Sequence, residues 1–207
     1  MTRPPNTGAV CTISLGAPGQ PCWLDAGTLD ALEACLGHLH ADTQAIVLRG
    51  TPDAFCLGMA PPDADHSDAL HAGIQRFTTV LEGLRHGPIP VIAVVEGPVR
   101  GGGLALLAVA DVVLATPSAN CQLPELFLGL VPGVVGAYLV PARLTEGRLR
   151  YLAQSGATRT ALEAREDGLV DEVVAADALD RRLRELLRHV GRAPARAMQR
   201  GRRLLAA

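Results

Sequence analysis

Three consecutive glycines stand between an apolar strand and an apolar helix. The order is Val91–Val95, then Glu96-Gly97-Pro98-Val99-Arg100-Gly101-Gly102-Gly103, then Leu104–Val109. Glycine lets a backbone come close to a ligand. A helix start presents unpaired N–H groups and partial positive charge, so an oxyanion or a phosphate fits there. A tight strand-to-helix turn explains the same run equally well. The run has neither the GxGxxG spacing of a dinucleotide site nor the Gly-Lys-Ser/Thr of a P-loop.

Other chemistry-bearing residues are sparse. The chain contains no lysine, which removes Schiff-base and lysine-nucleophile chemistry. His66 and His71 stand among Asp63, Asp65 and Asp68. They read either as titrating imidazoles or as exposed histidines of a polar segment. Their spacing matches no metal-ligand pattern, so no metal is expected. The five cysteines form no CxxC pair, and Cys56 and Cys121, flanked by apolar residues, read as small core residues.

The elements that must position these residues alternate between strand and helix. Strands are expected at Val10–Leu15, Ala45–Leu48, Val91–Val95, Val112–Ala115 and Val170–Val174, with extended pieces at Phe55–Met59 and Cys121–Leu123. Helices are expected at Asp25–His40, His71–Arg85, Leu104–Val109, Thr145–Gln154, Thr160–Glu166 and Asp177–Ala207. Pro61–Ser67 reads as a loop, and Leu126–Val140 as a loop feeding a helix. Such alternation predicts an α/β fold. Residues 1–175 read as the core domain and 176–207 as a C-terminal helical segment. The latter carries Arg181, Arg182, Arg184, Arg188, Arg192, Arg196, Arg200, Arg202 and Arg203. This basic series reads as a solvated face or as an anion contact.

Composition narrows the function. The 207 residues are 48% hydrophobic and 3% aromatic, with a net charge of −2. An aliphatic core is expected, and nucleic-acid binding has no support. The start lacks a signal-peptide pattern and no run reads as a membrane span, so a reducing cytoplasm is the expectation.

The succession Phe55-Cys56-Leu57-Gly58-Met59, Val91–Val95, Gly101–Gly103, Ala110-Asp111, Leu123-Pro124-Glu125, Leu128–Gly133 and Ala164–Val173 resembles the enoyl-CoA hydratase/isomerase (crotonase) superfamily over nearly the whole chain. The resemblance implies a crotonase-like superhelix of ββα turns. It implies two backbone oxyanion-hole donors, which fall at Met59 and Gly102, flanked by Gly58 and Gly101. It implies a catalytic glutamate in the Pro-Glu motif, here Glu125. Hydratases of the family carry a further glutamate three residues after the second donor, where this chain has Ala105. One-glutamate members are double-bond isomerases or dehydratases of the polyketide β-branching type, and the motifs around Glu125 look most like the latter, except that Ala60 replaces their usual Asp.

The resemblance therefore implies an acyl-thioester enzyme, most simply a dehydratase of a β-hydroxyacyl group, with an enoyl isomerase, a decarboxylase or a non-catalytic binding member as alternatives. It implies no cofactor beyond the CoA or phosphopantetheine that carries the substrate. The partners are an acyl-CoA or an acyl-carrier protein, and further copies of the chain in a trimer or hexamer. The chain is shorter than usual for the family at its C-terminus, which bears on that assembly. Arg100 stands where the family more often has a small or apolar residue. It could pair with a second substrate carboxylate or lie at the surface or a subunit contact. His66 and His71 fall where the family lines its acyl pocket. Tyr138, after the Pro132-Gly133 turn, either reaches the site or packs in the core.

Overall fold

The computed structural model describes residues 10–17, 19, 20, 22–59 and 67–205. Five strands form a parallel sheet in the order β1 (Val10–Ser14), β2 (Ala45–Arg49), β3 (Val91–Val95), β5 (Val112–Ala115) and β8 (Glu172–Val173). A second sheet joins β4 (Pro98–Arg100), β6 (Asn120–Gln122) and β7 (Arg159–Thr160), with β4 parallel and β7 antiparallel to β6.

Val91–Val95 is buried at every position, as expected for a strand covered on both faces. Because strand side chains alternate, Val91, Ala93 and Val95 enter the main core, whereas Ile92 and Val94 face a second cluster with Val47, Leu114 and Leu179. Helix α7 (Ala176–Val190) covers that second face with Leu179, Leu183, Leu186 and Leu187.

Helix α3 (Gly102–Val109) is the centre of the main core. Every residue from Gly103 to Val109 is buried, which suits a helix apolar all round. Helices α2 (Ser67–His86) and α4 (Gly133–Ala142) lie against it. Helix α1 (Ala26–Gly37) is capped by Asp25, whose carboxylate accepts from Thr28 N–H at 2.8 Å. Helix α5 (Glu146–Ser155) is capped by Thr145. Helix α6 (Ala161–Asp167) opens on a capping box between Thr160 and Glu163 and ends on Gly168.

Several elements differ from the sequence expectation. Ser67 belongs to α2 rather than to the preceding loop, and residues 60–66 lie outside the described residues. The last strand shortens to Glu172–Val173, because Leu169 and Val170 donate back to Ala164 O and close α6. The basic C-terminal stretch divides into α7 and α8 (Ala195–Leu205). Arg202 of α8 is neither solvated nor free for an anion: it is 7% exposed. Its guanidinium donates to the carbonyls of Leu84, Gly87 and Ile89 and pairs with Asp111 at 3.0 Å. The carbonyls at the end of α2 lack helical partners, and a guanidinium satisfies several at once. Among the described residues no helix is long and apolar enough to cross a membrane.

Candidate active site

Three chain segments build the site. Residues 55–59 run between residues 22–24 and β4. Leu57 N–H donates to Cys22 O at 2.7 Å, and Leu24 N–H to Gly58 O at 2.8 Å. On the other side, Phe55 N–H donates to Pro98 O at 2.9 Å, and Arg100 N–H to Cys56 O at 2.8 Å. Gly58 has φ +89°, and a Cβ there would stand 3.2 Å from both Arg100 O and Gly102 N. Glycine is therefore required at position 58 for conformation and for space. The two glycine-bearing loops touch at this point.

Gly101, at φ +49°, turns the chain from β4 into α3. Its N–H is taken by Gln122 O at 3.2 Å. Gly102 opens α3, where the N–H groups have no partner inside the helix. Among the described residues, no backbone carbonyl accepts from the N–H of Gly102 or of Met59. Two N–H groups without a backbone acceptor among the described residues thus stand on adjoining loops, one of them at a helix start.

Glu125 reaches the same place from β6. The strand pairs with β4, Leu123 is buried, and Pro124 starts the 3-10 turn Glu125–Leu128. A Cβ on Gly101 would lie 3.0 Å from Glu125 Oε1. Glu125 Oε2 is buried and has no hydrogen-bond partner among the described residues. Burial pushes the Glu125 carboxyl above its ordinary range, against a smaller lowering from its own backbone N–H. A buried carboxyl with an idle oxygen can exchange a proton with a ligand. Two N–H donors beside it can hold a developing oxyanion.

The structure thus brings Gly58, Met59, Gly101, Gly102 and Glu125 together. Ala105, one turn into α3, is wholly buried. Arg100 turns its guanidinium to Asn120, at 2.6 Å from the side-chain oxygen and 3.2 Å from the carbonyl, and to its own strand at Val99 O. It is half-buried, and no carboxylate pairs with it among the described residues. His71 is exposed on α2, and His66 lies outside the described residues, as do Asp63 and Asp65. Pro132 caps α4 and Gly133 is its first residue. Tyr138 is buried between α4 and α2, and its hydroxyl donates to Glu82.

Sequence reasoning missed Leu24, Phe77 and Gly73. A Cβ on Gly102 would meet Leu24 Cδ1 at 2.9 Å and Phe77 Cε1 at 3.4 Å, and one on Gly73 would meet Met59 Cε at 2.8 Å. Phe77 shares an apolar face with Val80, Leu81 and Leu84, and nothing in that periodicity separates a residue over the site from its core neighbours.

A sequence model of the family described as enoyl-CoA hydratase/isomerase matches residues 6–205. The chain belongs to the enoyl-CoA hydratase/isomerase (crotonase) family. It is 32% identical over 174 residues to a probable enoyl-CoA hydratase of Rhizobium meliloti, covering 83% of this chain and 68% of that one. It is 31% identical over 183 residues to an enoyl-CoA isomerase/hydratase of Zymoseptoria tritici, covering 82% of this chain and 58% of the relative. The chain thus spans less than two thirds of the fungal protein's length. The fold superposes on the crystal structure of an enoyl-CoA hydratase from Bacillus anthracis with TM-score 0.87 and 28% identity, over 93% of this chain and 77% of the other. The crotonase fold expected from the motif order is therefore the fold observed.

Proposed function

We propose that this crotonase-family member binds an acyl thioester with its carbonyl oxygen between the N–H groups of Met59 and Gly102, and that Glu125 moves the proton at the α-carbon. The observation that carries this reading is the Glu125 carboxyl, with Oε1 against Gly101 and a buried Oε2 that has no partner among the described residues, on loops adjoining two N–H groups from which no backbone carbonyl of the described residues accepts. The carboxylate takes the α-proton, and the electron pair moves onto the thioester oxygen, where the two N–H groups stabilise it. With one carboxyl and Ala105 in place of another, the same Glu125 must also deliver the proton. In dehydration of a β-hydroxyacyl group, the carbonyl re-forms, the β-carbon–oxygen bond breaks, and protonated Glu125 gives its proton to the departing hydroxyl as water. This reading, in polyketide-type chemistry, follows the motif resemblance around Glu125. The isomerase reading uses the same first half and returns the proton to the γ-carbon; the isomerase/hydratase name of the fungal relative favours keeping it.

The carrier is CoA or a phosphopantetheine on a carrier protein, and the chemistry needs no further cofactor. Self-assembly, as a trimer or hexamer, is part of the proposal. Leu126, Phe127, Leu128, Leu130 and Val131 are exposed at 42–82%, forming an apolar strip directly after Glu125. The five cysteines are free, which suits a reducing cytoplasm.

The test is product analysis on 3-hydroxyacyl, 2-enoyl and 3-enoyl thioesters of CoA and of pantetheine. Loss of water from the 3-hydroxyacyl substrate supports the lyase. Shifted unsaturation at constant mass supports the isomerase. Absence of any turnover, or equal turnover by Glu125→Gln, overturns the proposal.

A further inference from the structure

The N–H groups of Met59 and Gly102 lie beyond the last bond that joins their loops. Among the described residues, that bond is Arg100 N–H to Cys56 O at 2.8 Å. Further along, residues 57–59 turn to residues 22–24 instead. Leu57 N–H donates to Cys22 O at 2.7 Å, and Gly58 O accepts from Leu24 N–H at 2.8 Å. Leu24 also pairs with Met59 as a parallel bridge. Gly58 and Gly102 approach each other without side chains, so neither loop can grip the other there.

Leu24 supplies that grip. Its backbone holds Gly58 and Met59. Its side chain crosses to the other loop: a Cβ on Gly102 would stand 2.9 Å from Leu24 Cδ1, so the tip of the leucine rests on the Gly102 backbone. The residue is 1% exposed and part of the main core. It is fixed from both sides along the chain. Asp25 next to it caps α1 through Thr28 N–H, and Cys22 two residues earlier is bonded to Leu57. Among the described residues, helix α2 reaches the same two donors only by side-chain contact, with Phe77 against Gly102 and Gly73 against the Met59 side chain.

We infer that Leu24 is a positioning residue of the N–H pair: its backbone holds the Met59 loop, its side chain holds Gly102, and together they set the spacing of the two donors. The inference rests on the proposed thioester reading. A close-packed interior passes on a change in one side chain. Shortening Leu24 leaves a cavity beside Gly102 that the chain fills only in part, and the Gly102 N–H moves off the enolate oxygen. Misplacing a reacting group by about 1 Å costs about a hundredfold.

The experiment reads the donors without turnover. The acetoacetyl thioester of CoA or of pantetheine gives up an α-proton to form an enolate that absorbs in the near ultraviolet. N–H groups aimed at the enolate oxygen raise its share in the bound ligand. At saturation the wild type should hold more enolate than the free ligand does. The ratio of enolate to keto form should fall by about tenfold to a hundredfold in Leu24→Ala and by less in Leu24→Val, with Kd for a saturated acyl thioester little changed by calorimetry. Leu24→Val decides the matter if Leu24→Ala does not fold. Leu32→Ala removes another buried leucine, on α1, and should lower the melting temperature while keeping the enolate ratio. A wild-type ratio in the folded Leu24 variants, or an equal fall in Leu32→Ala, overturns the inference and leaves the thioester reading standing. A wild type that binds neither acetoacetyl thioester, or raises no enolate above the free ligand, fails the thioester reading, and the inference falls with it.

Discussion

Replacing Glu125 by Gln removes one titrating proton and little else. The side chain keeps its shape, and the carboxyl it replaces has one oxygen without a partner among the described residues. Loss of a positioned acid–base group costs about 10²–10⁴ in rate. At about 1.36 kcal/mol per decade, this is a rise of about 3–5 kcal/mol in the barrier. The fall should appear in kcat for every accepted thioester, with Kd little changed, because the N–H donors remain. Stability should move the other way. Burial raises the folded-state pKa of Glu125 above its ordinary 4.5, so its neutral form is favoured in the native state. The wild type therefore loses stability as pH rises from 4.5 through that raised value, and Glu125→Gln does not. At neutral pH the variant should melt no lower than the wild type, and the difference should vanish as pH falls towards 4.5. Steady-state kinetics and a melting series across pH read both effects. A variant with wild-type kcat, or one that melts well below the wild type at neutral pH, would refute the reasoning.

Gly102→Pro deletes the N–H donor at the first position of a helix, where proline is otherwise well tolerated. A loss of about 10²–10³ in kcat/KM is expected, and circular dichroism and melting check that the fold persists despite the close approach of Leu24. The pH profile of kcat/KM should rise on its acid side through a midpoint above the ordinary glutamate value of 4.5, and that limb should disappear in Glu125→Gln. Ala105→Glu places a carboxylate in a space closed to solvent. A loss of about 3–5 kcal/mol in denaturant unfolding is expected, as for an unpaired buried charge, with no gain in water addition. Arg202→Ala leaves the carbonyls of Leu84, Gly87 and Ile89 uncovered. Because Asp111 is 37% exposed, the cost should be about 2–3 kcal/mol, below that of a fully buried pair, and hydrogen exchange should show α8 opening first.

The strands Val91–Val95 and Val112–Ala115 were legible to the residue, because a strand buried on both faces is an unbroken aliphatic run between breakers. The glycine run was legible as a device but not in its bounds. Helix α3 starts at Gly102, inside the glycines, because its first N–H groups need no helical partner. Glu125 was legible as a position in a motif; its buried, unpartnered oxygen was not, since burial depends on β6 pairing with β4 and on the close approach of Gly101. Tyr138 and Glu82 are 56 residues apart, and only the packing of α2 and α4 on α3 joins them. Arg202 meets its partners across 91–118 residues, so a basic helix face concealed a buried anchor.

The central claim is that an acyl-thioester carbonyl sits between Met59 and Gly102 while Glu125 removes the α-proton. The most direct measurement is exchange of that proton with solvent in D₂O, followed by NMR on a saturated acyl thioester that has neither a double bond nor a β-hydroxyl. Net reaction is then blocked and only enolate formation is read. The account predicts α-deuteration by the wild type and its loss in Glu125→Gln. No exchange by a wild-type protein that binds the thioester, or exchange at the wild-type rate in Glu125→Gln, would contradict it.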